Sequence, residues 1–132
     1  MSKQEIKEEY KQTEGNPQIK SKIKERQRQL SLRRMMAEVP KADVIITNPT
    51  HLAIAIKYDA SIAEAPYVLA KGKGLIAQRI KDSADKNVIP IVENKPLAQA
   101  LYNSVDIGQQ IPEEMYQAVA EILAFVYGTM NR

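Results

Sequence analysis

Ala42-Asp43-Val44-Ile45-Ile46-Thr47-Asn48-Pro49-Thr50-His51-Leu52-Ala53-Ile54-Ala55-Ile56-Lys57-Tyr58 is the stretch that decides the fold. Its two flanks, 42–47 and 52–58, are rich in the β-branched and apolar residues that favour strands. Between them sits Asn48-Pro49-Thr50-His51. Asn tolerates unusual backbone angles, and Pro fixes its own φ while forcing the residue before it out of the helical region. Two strands joined by a short loop follow. As a bare dipeptide, Asn-Pro between strands is an ordinary turn. Its chemistry offers a second reading.

The usual ageing reaction of Asn needs attack by the next residue's backbone N–H, and Pro49 has none. The open alternative is attack by the Asn48 side-chain amide nitrogen on its own main-chain carbonyl carbon. A five-membered succinimide closes, Pro49 leaves as a new N-terminal amine, and the Asn48–Pro49 bond is cut without a protease. An amide is a poor nucleophile, so the fold must hold a near-attack pose and stabilise the developing oxyanion. A gain of about four to five decades, roughly 5–7 kcal/mol, lies within what such positioning supplies. Thr50 either hydrogen-bonds the loop backbone or is a plain turn residue. His51, the only histidine, either moves a proton during the cut or merely shapes the turn.

Working outward, Tyr67-Val68-Leu69-Ala70 reads as a third strand. Gly74 to Lys86 reads as a helix with Leu75, Ile76, Ile80 and Ala84 inward, and Val88-Ile89-Pro90-Ile91-Val92 as a short fourth strand. Leu97 to Asn103 predicts a brief helix. Over 113–127, Met115, Val119, Ile122, Leu123 and Val126 recur on one face, the clearest helical pattern in the chain. The fold class is α/β, a small mixed sheet of about four strands sandwiched by helices, preceded by a basic linker helix. Gly72-Lys73-Gly74 ahead of a helix lacks the spacing of a phosphate-binding loop and reads as a strand-to-helix turn.

Charge divides the 132 residues in two. Residues 1–41 hold eleven Lys/Arg against six Asp/Glu, and 42–132 hold eight against ten. The basic part reads as a short mobile helix, a hinge near Gly15, and a long helix opening at Pro17 with a sparse stripe of Ile19, Ile23, Leu30 and Met35. Such a helix is either a solvated face or a contact for anionic lipid headgroups over 17–34. Nucleic-acid binding is not expected, since Tyr10 is the only nearby aromatic and no recognition fold accompanies it. With no cysteine and one histidine, disulfides, thiol catalysis and thiolate zinc sites are excluded, and neither a stable zinc centre nor a cofactor is expected. No apolar run approaches the ~18 residues of a transmembrane helix. The organisation expected is a basic helical linker over 1–38 and a monomeric globular domain over 39–132.

A further set of residues carries a resemblance. Glu14-Gly15-Asn16-Pro17, Arg33-Arg34-Met35-Met36, Val39-Pro40, Ala42-Asp43-Val44 and Thr47-Asn48-Pro49-Thr50-His51 appear in that order. Ala65-Pro66, Ala70-Lys71-Gly72, Val88-Ile89-Pro90, Glu93-Asn94, Ala100-Leu101-Tyr102, Gly108-Gln109-Gln110-Ile111-Pro112 and Ala118-Val119-Ala120-Glu121-Ile122-Leu123-Ala124 follow. Together they resemble the cytoplasmic domain of the FlhB/YscU family, the export-switch proteins of flagellar and virulence type III secretion, with the flagellar branch fitting better. The resemblance implies self-cleavage at Asn48-Pro49 into 1–48 and 49–132, which stay folded together. It also implies a role in changing export specificity from rod and hook (or needle) subunits to late substrates. Other export-apparatus components, a hook- or needle-length-control protein and secreted substrates are the implied partners. Four membrane helices would precede the domain, which places it at the cytoplasmic face of the bacterial inner membrane. No turnover on external substrates is implied.

Two rivals remain at this level. One is a structural docking module whose Asn48-Pro49 is an inert turn. The other is self-processing by the Thr50 hydroxyl, cutting after Pro49.

Overall fold

The computed structural model describes residues 15–130; the short helix expected ahead of Gly15 lies outside the described residues. The chain divides into two compact units, one ending at Arg34 and one beginning at Met35. Helix α1 (Pro17–Glu38), whose residues up to Arg34 belong to the first unit, starts where Asn16 caps it. The Asn16 side-chain oxygen accepts the Gln18 N–H at 3.0 Å and the Ile19 N–H at 3.4 Å, and Pro17 opens the first turn with no N–H to strand. No residue of α1 is buried, and Ile19, Ile23 and Leu30 remain exposed.

The second unit is a four-stranded mixed sheet in the order β3-β2-β1-β4. Its strands are β1 (Val44–Asn48), β2 (Leu52–Lys57), β3 (Tyr67–Lys73) and β4 (Ile91–Glu93). β1 and β2 form an antiparallel hairpin in the register Val44↔Ile56 to Asn48↔Leu52, β2 pairs antiparallel with β3, and β4 runs parallel to β1. Helix α2 (Leu75–Lys86) covers one face; α3 (Lys95–Ser104) and α4 (Tyr116–Met130) cover the other. The sandwich expected from the alternation of strand and helix patterns is therefore the one observed.

The period-two alternation sorts the core. Val44, Ile46, Leu52, Ile54, Ile56 and Val68 pack with Leu97, Leu101, Met115, Val119, Leu123 and Val126. On the opposite face Ile45, Ala53, Ala55, Leu69 and Ala70 pack with Ala77, Ile80 and Ala84. β2 thus sets large residues toward α3 and α4, and alanines toward α2. The register of β2 on β3 slips between Ala55 and Ile56, leaving Leu69 as an extra residue, a bulge that lets neighbouring Leu69 and Ala70 serve the same cluster.

Side-chain charges pin the ends. The Asp43 carboxylate accepts the Tyr58 N–H at 2.7 Å and pairs with Lys57 Nζ at 3.5 Å, closing the open end of the hairpin. Burial, then the neighbouring Asp43 carboxylate, push the Tyr127 phenol above its usual range. Lys71 Nζ donates to the Tyr102 carbonyl at 2.9 Å and lies 5.2 Å from the centre of that ring, joining β3 to the last turn of α3.

Three expectations need correction. Leu75 does not face inward; it is 86% exposed. The inward positions of α2 are Ala77, Ile80 and Ala84, and at 100° per residue Leu75 falls on the far side. The fourth strand is Ile91–Glu93 instead of 88–92, because Val88 and Ile89 terminate α2. The Val88 N–H reaches the Asp85 carbonyl at 3.4 Å and the Ile89 N–H reaches Ala84 at 2.8 Å, the paired bonds of a Schellman cap. Val88 there adopts φ 56°, a left-handed conformation unfavourable for a β-branched residue. Finally, α3 starts at Lys95, two residues earlier than expected, because the Asn94 side chain caps it through the Leu97 N–H at 3.1 Å.

Two stability changes follow. A Cβ on Gly72 would lie 2.3 Å from Ile76 Cγ2 and 2.9 Å from its Cβ, so Gly72→Ala is expected to destabilise by about 1–3 kcal/mol in denaturant unfolding. Val88→Gly removes about 1–2 kcal/mol of left-handed strain and adds about 0.5–1 kcal/mol of backbone entropy. A small rise in thermal midpoint is the expected net, and a fall would contradict the cap assignment.

Candidate functional site

The loop Pro49-Thr50-His51 caps the sheet at the end where β1 stops and β2 starts. The His51 backbone N–H donates to the Asn48 carbonyl oxygen at 2.9 Å, closing a β-turn over Asn48 to His51. That oxygen belongs to the Asn48–Pro49 amide. A donor already aimed at it polarises the carbonyl, and it is in place to receive the negative charge that forms when the carbonyl carbon is attacked.

Other elements hold the rest of the loop. The His51 carbonyl accepts the Gly74 N–H at 3.0 Å. Gly74 sits at φ 58°, ψ −124°, a conformation that disfavours any residue with a Cβ, so this glycine lets β3 turn into α2 while touching the loop. The Pro49 carbonyl accepts from Lys81 Nζ of α2 at 2.5 Å. On the other side, the Thr47 carbonyl accepts the Asn94 N–H at 2.9 Å, tying the last residue before Asn48 to the start of α3.

By the strand alternation, Asn48 lies on the α3 face of the sheet. With Thr50, His51, Leu52, Lys73, Gly74, Gln99 and Tyr102 it lines an open depression of about 660 Å³. Asn48 and Pro49 are half-buried, Thr50 and His51 exposed. Among the described residues no hydrogen bond restrains the Asn48 side-chain amide, so its nitrogen is not committed to another partner.

The structure brings Thr50 and His51 together: Thr50 Oγ1 and His51 Nδ1 share a hydrogen bond. It does not join the His51 ring to Asn48. Among the described residues no carboxylate bonds that ring, so the third member of a hydrolase triad is missing. His51 meets the Asn48–Pro49 amide through its backbone instead. That contact and Lys81 are the two site features the sequence did not yield. A backbone N–H belongs to every residue type but Pro, and Lys81 stands 32 positions from its partner. Gly72 and Gly74 are explained by close packing and a turn. Among the described residues no group of three or more His, Cys, Asp or Glu is placed to hold a metal, and no helix is long and apolar enough to cross a membrane.

Comparison with known proteins puts this geometry in context. Residues 1–126 match the FlhB HrpN YscU SpaS family. The flagellar biosynthetic protein FlhB of Bacillus subtilis (strain 168) is 58% identical over 132 residues, which is 100% of this chain and 37% of that protein. The protein of the same name in Escherichia coli (strain K12) is 53% identical over 127 residues, 96% of this chain and 33% of that protein. The chain thus spans about a third of the length of these curated relatives. The crystal structure of the cytoplasmic domain of FlhB from Shewanella putrefaciens is similar at TM-score 0.71 and 49% identity, covering 73% of this chain and 74% of that one. An Asn→Asp variant of the EscU C-terminal domain is similar at TM-score 0.67 and 33% identity, covering 70% and 98%.

Proposed function

Because the chain belongs to the FlhB HrpN YscU SpaS family, we propose that it is the cytoplasmic switch domain of a flagellar export-apparatus protein and cuts itself once at Asn48-Pro49. The observation that carries this reading is the His51 N–H held 2.9 Å from the Asn48 carbonyl oxygen, at a bond whose leaving group is proline. Asn48 Nδ2 attacks the Asn48 carbonyl carbon, and the new C–N bond closes the succinimide. The oxyanion forms against the His51 N–H. As the carbonyl re-forms, the bond to the Pro49 nitrogen breaks, and the proton given up by Nδ2 ends on that nitrogen, directly or through water. Water later opens the succinimide. The reaction is intramolecular and happens once per chain, without turnover on external substrates.

The products 1–48 and 49–132 stay together because β1 belongs to one and β2 to the other, and five residue pairs join those strands. Separation of the new ends frees the loop and changes the surface at the mouth of the depression. A domain of this kind, at the cytoplasmic face of the inner membrane, helps change export from rod and hook (or needle) subunits to late substrates. Its partners are other export-apparatus components, a length-control protein and the exported subunits. The exposed basic residues over 17–34 meet anionic headgroups; flotation with anionic against neutral liposomes tests this, and equal binding to both would remove it.

The Thr50–His51 hydrogen bond favours one other reading. A hydroxyl beside an imidazole is an activated nucleophile, and the Pro49 carbonyl next to it is already polarised by Lys81. That chemistry would cut after Pro49 and yield a fragment beginning at Thr50.

An intact mass spectrum of the denatured chain separates the readings. Fragments meeting at Asn48 and Pro49, with transient loss of one water from 1–48, are expected. A fragment starting at Thr50 would establish the hydroxyl route, and a single uncut mass the inert docking module. Asn48→Ala is expected to keep the fold and abolish the cut, while a cut variant would sink the cyclisation mechanism. Pro49→Ala is expected to slow the cut in a gel time course, and an unchanged rate counts against proline as the favoured leaving group.

A further inference from the structure

The geometry points to Lys81 as the residue that positions the leaving group for cleavage, a role that rests on the self-cutting reading above. Pro49 has one soft backbone torsion. Its ring fixes φ and its peptide bonds are planar, so only ψ is free. The Pro49 carbonyl oxygen reports that torsion directly, and it is the atom that receives the Lys81 ammonium. With this hydrogen bond made, ψ of Pro49 is restricted and the Pro49–Thr50 peptide plane is tied to α2.

The Asn48 side of the amide is held independently, by the His51 N–H on its carbonyl oxygen. The two clamps act on consecutive carbonyls, one upstream and one downstream of the scissile bond. What stays adjustable is the Asn48 side chain, the group that has to move to attack. Tethering the residue on each side of the Asn48–Pro49 bond while the Asn48 side chain stays free to rotate restricts the search for a near-attack pose.

Lys81 is anchored well enough to do this. Its neighbour Ile80 is fully buried, and Ala77 and Ala84 hold the same face of α2 to the sheet. Two glycines bring α2 to the loop. Gly72 admits the Ile76 side chain where a Cβ would collide, and Gly74 makes the turn that also donates to the His51 carbonyl. Lys81 itself is half-buried, and its hydrogen bond to Pro49 is partly shielded from water. A charge-assisted bond in that setting is stronger than an exposed neutral one. Lys81 touches neither the attacking nitrogen nor the scissile carbonyl in this arrangement, so it acts through Pro49.

The test follows the appearance of fragments 1–48 and 49–132 by mass in the wild-type chain, Lys81→Met, Lys81→Arg and, as an exposed control on the same helix, Lys86→Met. The thermal midpoint of each Lys81 substitution is measured in the uncut Asn48→Ala background. Lys81→Met is expected to cut about 10- to 100-fold more slowly with a near-unchanged midpoint. Lys81→Arg, which keeps a cationic donor, is expected to restore most of the rate, and Lys86→Met to cut like the wild type. A wild-type chain that cuts while Lys81→Met keeps pace overturns the role of Lys81 and leaves self-cleavage standing. So does Lys81→Arg failing as badly as Lys81→Met, because a lost shape and not a lost donor would then be at fault. If the wild-type chain never cuts, the self-cleaving reading falls and this one with it.

Discussion

The close approach of α2 to the sheet is the constraint on which the rest depends. β2 offers Ala53 and Ala55 to that face while Leu52, Ile54 and Ile56 fill the other. Gly72 on β3 completes the small-residue floor, with Ile76 packed where its side chain would have been. A helix that sits this near the strands delivers its polar edge to the end of the hairpin, and that is how Lys81 meets Pro49. Larger residues on the same floor would lift α2 away and break that contact. The packing asymmetry of a single strand therefore reaches the geometry of the loop.

Much of this was legible in the sequence, for physical reasons that differ by element. The hairpin could be read because β1 and β2 are apolar on both faces and Asn48-Pro49 can only be punctuation between them. α4 could be read because Met115, Val119, Ile122, Leu123 and Val126 repeat at helical spacing. The misread positions are those where a local device overrode the pattern. Val88 looks like the start of a strand by composition, yet it is spent on stopping a helix, in a backbone conformation its side chain resists. Leu75 looks like a core residue, but the turn at Gly74 sets the helical phase so that it points to water.

The site divides the same way. Asn48 and Pro49 could be singled out because the chemistry open to an Asn-Pro bond is written in its covalent structure, while the pose that chemistry requires is not. The donor on the Asn48 carbonyl was not, because it is the main chain of His51 and leaves no mark in the residue type. The residue type of His51 advertises only its ring, and that ring is engaged with Thr50. Lys81 was hidden for a different reason. One lysine among many carries no signal until tertiary packing selects it.

One feature of the sheet bears on the time scale of such a molecule. β1 and β2 are both interior strands, each with a neighbour on either side, and the loop between them is the only covalent link along the chain between the segments before and after it. While that link is intact, the two segments see each other at an effective concentration in the millimolar range or above, and folding does not depend on how much protein is present. Once it is open, association becomes a matter of mass action. The complex can persist for as long as its interior strands stay paired, but unfolding turns into dilution, and at low abundance the halves have no route back. A joined chain forgets each unfolding event; a divided one keeps a record of it.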